Sequence, residues 1–132
     1  MPEPSPLPLP PLSEAQMEIM NVVWDRGEAT VADVWKVLSG RRTVARSTVV
    51  TMLSRLEEKG WLRCDEEGHA FRYRAALPRE ATLGTMVQRL VDTAFGGSAE
   101  GLVMALLHGR GISKEEARKI KKMIDRAEGK VP

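Results

Sequence analysis

From Ser13 onward the apolar positions of the chain recur with a helical period, and polar residues able to cap helices stand where each run begins. Ser13-Glu14-Ala15-Gln16 is a capping box, with Ser13 as the cap and Gln16 reaching back. It predicts a helix carrying Ile19, Met20, Val22, Val23 and Trp24 that stops near Gly27. Thr30 is placed to cap a second helix with Val31, Val34, Trp35 and Leu38 on one face, ended by Ser39-Gly40. The stretch from Arg41 to Leu62, RRTVARSTVVTMLSRLEEKGWL, predicts a third helix ended by Gly60, in which Val49, Met52, Leu53 and Leu56 fall at i, i+3, i+4 and i+7. The period then changes to two. Trp61 to Cys64 predicts a strand, Asp65-Glu66-Glu67-Gly68 a turn, and Ala70-Phe71-Arg72-Tyr73-Arg74 a second strand. By alternation Phe71 and Tyr73 face the core, and Arg72 and Arg74 face outward.

Beyond Pro78 the pattern is helical again. Leu83, Met86, Val87, Leu90, Val91 and Ala94 form a stripe closed by Gly96-Gly97; Ser98 caps the short apolar run from Leu102 to Leu107. Ser113-Lys114-Glu115-Glu116 is another capping box, opening a helix with Ala117, Ile120, Ile124 and Ala127 on one side. The expected fold is mostly α with a small β-hairpin: an N-terminal winged helix-turn-helix plus a C-terminal helical dimerisation region. The boundaries are a disordered proline-rich arm at residues 1–11, a winged-helix DNA-binding domain at 12–77 and a helical dimerisation domain at 78–128. The last three helices carry more apolar surface than they can hide among themselves, which favours a homodimer buried through Leu83, Val87, Leu90, Leu102, Val103, Leu106, Ile120 and Ile124. The alternative is a helical subdomain folded back on the winged helix.

Composition narrows the function. The chain has 132 residues, 42% of them hydrophobic and 29% charged, enough for one small domain plus an oligomerisation segment. No apolar run is long enough to span a bilayer, and direct membrane binding is not expected. Six of the eight prolines lie in the first eleven residues, MPEPSPLPLPP, which lack the charged and apolar regions of a secretory signal; a cytoplasmic location follows as an expectation. One cysteine, Cys64, excludes an intrachain disulfide and any CxxC metal or redox motif. His69 and His108 have no ligand-type spacing, so neither metal nor cofactor is expected. No nucleophile-elbow, phosphate-loop or dinucleotide motif occurs, and the chain is not expected to be an enzyme. A lone cysteine in a strand is a small hydrophobe more often than a redox switch.

The third helix points to a chemistry. Its face opposite the apolar stripe carries Ser47, Thr51, Ser54 and Arg55, short hydroxyls and arginine in place of Glu/Lys pairs. Hydroxyls reach base edges without holding a helix out of a groove, and arginine supplies charge and a bidentate fork. Arg41 to Arg63 holds six basic residues against two acidic ones, net +4, whereas Ser13 to Ser39 is net −3; the overall +2 conceals a basic patch suited to a polyanion. Candidate contacts to double-stranded DNA are Arg46, Ser47, Thr48, Thr51 and Arg55, with Arg72 and Arg74 of the hairpin as phosphate contacts. The alternative reading is a winged-helix protein–protein interaction module whose basic helix binds an acidic partner, because fold alone does not fix function.

LSEAQMEIMNVVW, STVVTMLSRLEEKGWL and FRYRA occur in the order and at the spacing of the BlaI/MecI family of transcriptional repressors, and the chain resembles that family from about Leu12 to Ala127. The resemblance implies a homodimer with a winged helix on each protomer, bound to an inverted-repeat operator and controlling β-lactamase or related genes. It also places DNA contacts on Ala45, Arg46, Ser47, Thr48, Thr51 and Arg55. Where the family often has a Ser-Pro pair opening the recognition helix, this chain has Ala45-Arg46. Many members are relieved by cleavage after a membrane sensor-protease detects a β-lactam. The Asn-Phe bond cut in those repressors falls here on Ala105-Leu106, and neither residue matches. The cysteine-rich tail of a copper-responsive branch is replaced by RAEGKVP.

Overall fold

A computed structural model describes residues 9–68 and 70–128. The elements follow in the order α1 (Glu14–Arg26), α2 (Val31–Ser39), α3 (Arg46–Glu58), β1 (Leu62–Glu67), β2 (Ala70–Ala75), α4 (Arg79–Ala94), α5 (Ala99–His108) and α6 (Lys114–Glu128). The chain divides into two compact units, Met1–Thr82 and Leu83–Pro132.

Local chemistry accounts for the helix starts. Ser13 accepts from the N–H of Gln16 at 3.1 Å, and the Gln16 side chain accepts from the N–H of Ser13 at 3.0 Å. Thr30 and Asp33 make the same reciprocal pair at 3.2 and 3.0 Å. Each box satisfies two backbone donors that a helix start leaves open. Gly27, with φ at +86°, and Gly60, at +91°, end α1 and the turn after α3 in a backbone region that residues with a Cβ avoid.

The first unit is a winged helix around one core. Ile19, Met20, Val23, Val34, Leu38, Val49, Leu53, Leu56 and Leu62 are fully buried, with Trp61 and Tyr73 closing the sheet side. β1 and β2 pair antiparallel from Leu62↔Ala75 to Glu67↔Ala70. A short third edge was not anticipated: Ala29, in the α1–α2 connection, exchanges both backbone hydrogen bonds with Tyr73, at 2.8 and 3.0 Å.

Several expectations are corrected. The third helix begins at Arg46, not Arg41: residues 41–45 form a strap, with the N–H groups of Arg41 and Arg42 both donating to the carbonyl of Leu38. Asp65, Glu66 and Glu67 lie in β1 instead of a turn, because Asp65 faces Arg72 across the ladder and the strand runs up to Gly68, which takes a positive φ of +67°. Phe71 is 51% exposed although it shares a face with buried Tyr73, since the hairpin projects beyond the core at that point. The proline arm is anchored over residues 9–11: Leu9 and Leu12 pack on the core, and the indole N–H of Trp61 donates to the carbonyl of Pro10 at 3.0 Å. The remainder of the expected disordered arm, residues 1–8, lies outside the described residues.

In the second unit α4 and α5 are bent by 93°. Ser98 accepts from the N–H of Gly101, and Ser113 from that of Glu116. Val91 is buried, but α5 and α6 contain no buried residue. Leu83, Met86, Val87, Leu90, Val103, Met104, Leu106, Leu107, Met123 and Ile124 are exposed; Leu102 and Ile120 are half-buried. Among the described residues no single helix is long and apolar enough to cross a membrane.

Candidate nucleic-acid interface

α3 turns its apolar stripe inward: Val49, Leu53 and Leu56 are buried and Met52 half-buried. Its outer face presents Arg46, Ser47, Thr48, Val50, Thr51 and Arg55, all exposed. Val50, 43% exposed, escaped sequence reasoning because it follows core Val49; on a helix it stands one turn after Arg46, beside the hydroxyls. A methyl-rich side chain there is suited to the methyl group of thymine. The Thr51 hydroxyl donates to the carbonyl of Ser47 at 3.1 Å, while Ser54, half-buried, turns toward Tyr73.

The helix start favours anions. Its N-cap residue, Ala45, makes no side-chain cap, so first-turn N–H groups point outward with the positive end of the helix dipole. Arg46 is the first helical residue. Among the described residues neither Arg46 nor Arg55 has an ion-pair partner, which leaves their charge available to phosphate.

Four other arginines, Arg41, Arg42, Arg72 and Arg74, are held by carboxylates. Glu18 of α1 pairs with Arg41 at 3.0 Å and with Arg42 at 2.7 Å, and the two guanidinium groups hold its carboxyl below the usual range, Arg42 through the larger effect. Glu28 pairs with Arg72 and with Arg74, each at 3.0 Å, and Asp65 lies 3.8 Å from Arg74. The wing arginines thus lean on the α1–α2 connection instead of standing free in solvent, and Asp65 and Glu66 line the opposite strand. Burial pushes the Cys64 thiol up, with the Glu57 carboxylate adding to the effect; a disfavoured thiolate agrees with a packing role. Among the described residues no cluster of His, Cys, Asp and Glu could hold a metal ion.

The family model for the penicillinase repressor matches residues 12–126. The chain belongs to the penicillinase repressor family. Members of this family are DNA-binding transcriptional repressors, not enzymes. The penicillinase repressor of Bacillus licheniformis is 26% identical over 117 residues, covering 89% of this chain and 91% of that one. The transcriptional regulator BlaI of Mycobacterium tuberculosis is 31% identical over 108 residues, covering 80% and 78%. The solved DNA binding domain of the repressor BlaI superposes with a TM-score of 0.50 at 35% identity, over 54% of this chain and 87% of its own.

Proposed function

We propose that the repressor acts as a homodimer on an inverted-repeat operator, with one α3 in the major groove of each half-site, and that its targets include a β-lactamase gene. Arg46, Ser47, Thr48, Thr51 and Arg55 are the proposed contacts, joined by Val50. Ser47, Val50 and Thr51 meet base edges or methyl groups; Arg46 and Arg55 meet phosphates at the two ends of the exposed face. Arg72 and Arg74 reach phosphate only by leaving Glu28, so they contribute less than the arginines of α3. The target gene is inferred from the name of the B. licheniformis relative. Release by a membrane sensor-protease whose specificity is not for Asn-Phe, or by a ligand or partner that loosens the dimer, is the corresponding proposal for induction.

The observation that carries the dimer is the row of exposed apolar side chains on helices α4 to α6, none of which is covered within α5 or α6. Exposed apolar side chains in that number in a small domain are stable against a second copy. A two-fold dimer with one recognition helix per protomer requires a two-fold DNA site, its half-sites separated by about one or more whole helical turns of roughly 34–36 Å.

Sedimentation of the full chain, with titration of a duplex selected by it from a randomised pool, tests the reading. Val87→Glu combined with Leu90→Glu is expected to give a folded monomer with affinity lowered about a hundredfold or more, since the two half-sites are no longer bound as one. A monomeric variant that binds the duplex as tightly as the parent would overturn it.

A further inference from the structure

We infer that Arg41 and Arg42, held by Glu18, form a second phosphate-binding site on the strap that leads into the recognition helix. The inference rests on α3 being that helix. The strap, residues 41–45, is tied down at three places. Both N–H groups of Arg41 and Arg42 end on the carbonyl of Leu38, at 3.0 and 3.1 Å. The indole N–H of Trp35 donates to the carbonyl of Val44 at 3.0 Å. The third tie is Glu18, which takes Arg42 end-on, Nη1 to Oε2 at 3.0 Å and Nη2 to Oε1 at 2.7 Å, and Arg41 through Nη1 at 3.0 Å.

The asymmetry of this cluster decides its use. Two guanidinium groups share one carboxylate, so the cluster keeps a net positive charge. The carboxylate side chain is 19% exposed, whereas Arg41 and Arg42 are 57% and 46% exposed. A brace between α1 and the strap needs one arginine; the second adds an uncompensated charge on the outside. Each guanidinium has five N–H donors in a planar fork, and Glu18 occupies one from Arg41 and two from Arg42, which leaves outward donors on both for phosphate oxygens. The site lies four residues before the uncapped start of α3 and before Arg46, so Arg41, Arg42, Arg46 and the N–H groups of Arg46 and Ser47 make one run of anion binders along the entry to the groove. Glu18 is a positioning residue here. It restricts two long, flexible side chains to one arrangement before DNA arrives, so less rotamer freedom is lost on binding.

The test is the salt dependence of binding of the full chain to two duplexes of equal length, one selected by it from a randomised pool and one of random sequence. Arg41→Ala and Arg42→Ala are each expected to lower the slope of log K against log salt by about one unit on both duplexes, and affinity on the order of tenfold at ~0.1 M salt. Base preference is unchanged in both variants. Arg42→Lys recovers most of the slope, because it keeps the charge. Glu18→Gln keeps both arginine charges and so the full slope, but frees the two side chains, so affinity for both duplexes falls severalfold. Alanine variants that melt lower yet retain the parent slope would reduce the cluster to a brace and overturn the inference, as would a Glu18→Gln variant that binds both duplexes as tightly as the parent. Failure of α3 as the recognition helix is distinguishable: base preference would then survive loss of Thr51 and Val50, irrespective of the slopes.

Discussion

The hydroxyl of Thr51 donates to the backbone carbonyl of Ser47 one turn earlier, at 3.1 Å. This turns the oxygen back along α3 and leaves the methyl group as the outward part of the side chain at the centre of the exposed face. A base contact made by Thr51 is therefore an apolar one. Thr51→Ser is expected to relax base preference by about 1–3 kcal/mol at one position per half-site, while Thr51→Val retains it. Arg55→Ala, by contrast, is expected to weaken all sequences alike and flatten the salt slope by about one unit. Binding-site selection with each variant checks the assignment; a Thr51→Val protein that loses preference while Thr51→Ser keeps it would give the role to the hydroxyl.

The wing offers a different case, in which two carboxylates, Glu28 and Asp65, face Arg72 and Arg74. Glu28 holds Arg72 and Arg74 at 3.0 Å each and competes with phosphate for both. Glu28→Gln removes the competitor, and we expect affinity for random DNA to rise with a salt slope steeper by one to two units. The ion pairs are partly exposed, so the accompanying loss of stability stays within about 1 kcal/mol. An unchanged slope would show that the wing arginines remain off the DNA even when released.

These two cases also show what could be read from the chain. The first two helix starts were legible because Ser13 with Gln16 and Thr30 with its following turn are local, i to i+3 patterns. The inward stripe of α3 was legible for the same reason. The start of α3 was not, because RRTVAR contains no glycine or proline; the residues before Arg46 are held out of the helix by the N–H groups of Arg41 and Arg42 on Leu38 and by the bond from Trp35 to the carbonyl of Val44. Period two gave the correct face for Tyr73 and Phe71 but could not tell how far the core extends under the hairpin. Outward alternation likewise predicted solvent around Arg72 and Arg74, where the tertiary fold supplies Glu28.

Asp33 gives the stability of the first unit a definite dependence on pH. The N–H of Thr30 donates to its carboxylate at 3.0 Å, which is the main reason its pKa lies below the usual value, against an opposing effect of burial. A depressed folded-state pKa means that the unfolded chain binds the proton more tightly. The contribution is therefore complete above the unfolded value of roughly 4 and is lost as pH falls through the lower folded value. Glu18, lowered first by the hydrogen bond from Arg42, acts in the same direction. Asp33→Asn is expected to melt below the parent at pH 7 and to converge with it under acid. Thermal melts from pH 7 to 2.5 measure this, and parallel curves for the two proteins would exclude the capping carboxylate as the source.

The bond aligned with the cleaved Asn-Phe pair, Ala105-Leu106, lies inside α5, one turn from its end at His108. Both residues are exposed in the protomer, with Leu106 at 37%, so accessibility in a single copy is not the barrier. Two others remain. The segment is helical and belongs to the surface proposed for the dimer, so it must unfold locally before it can lie extended in a protease cleft. Leucine also replaces the aromatic ring after the bond, and alanine the amide before it. We therefore expect a sensor-protease specific for Asn-Phe to leave this chain largely intact in a β-lactam-treated host, and the double variant Ala105→Asn, Leu106→Phe to be cut. Immunoblots of the two proteins in the same host decide it. A product of the parent chain ending at Ala105 would show that cleavage does not depend on the pair. If neither protein is cut, the folded α5, not the missing side chains, is what protects the bond.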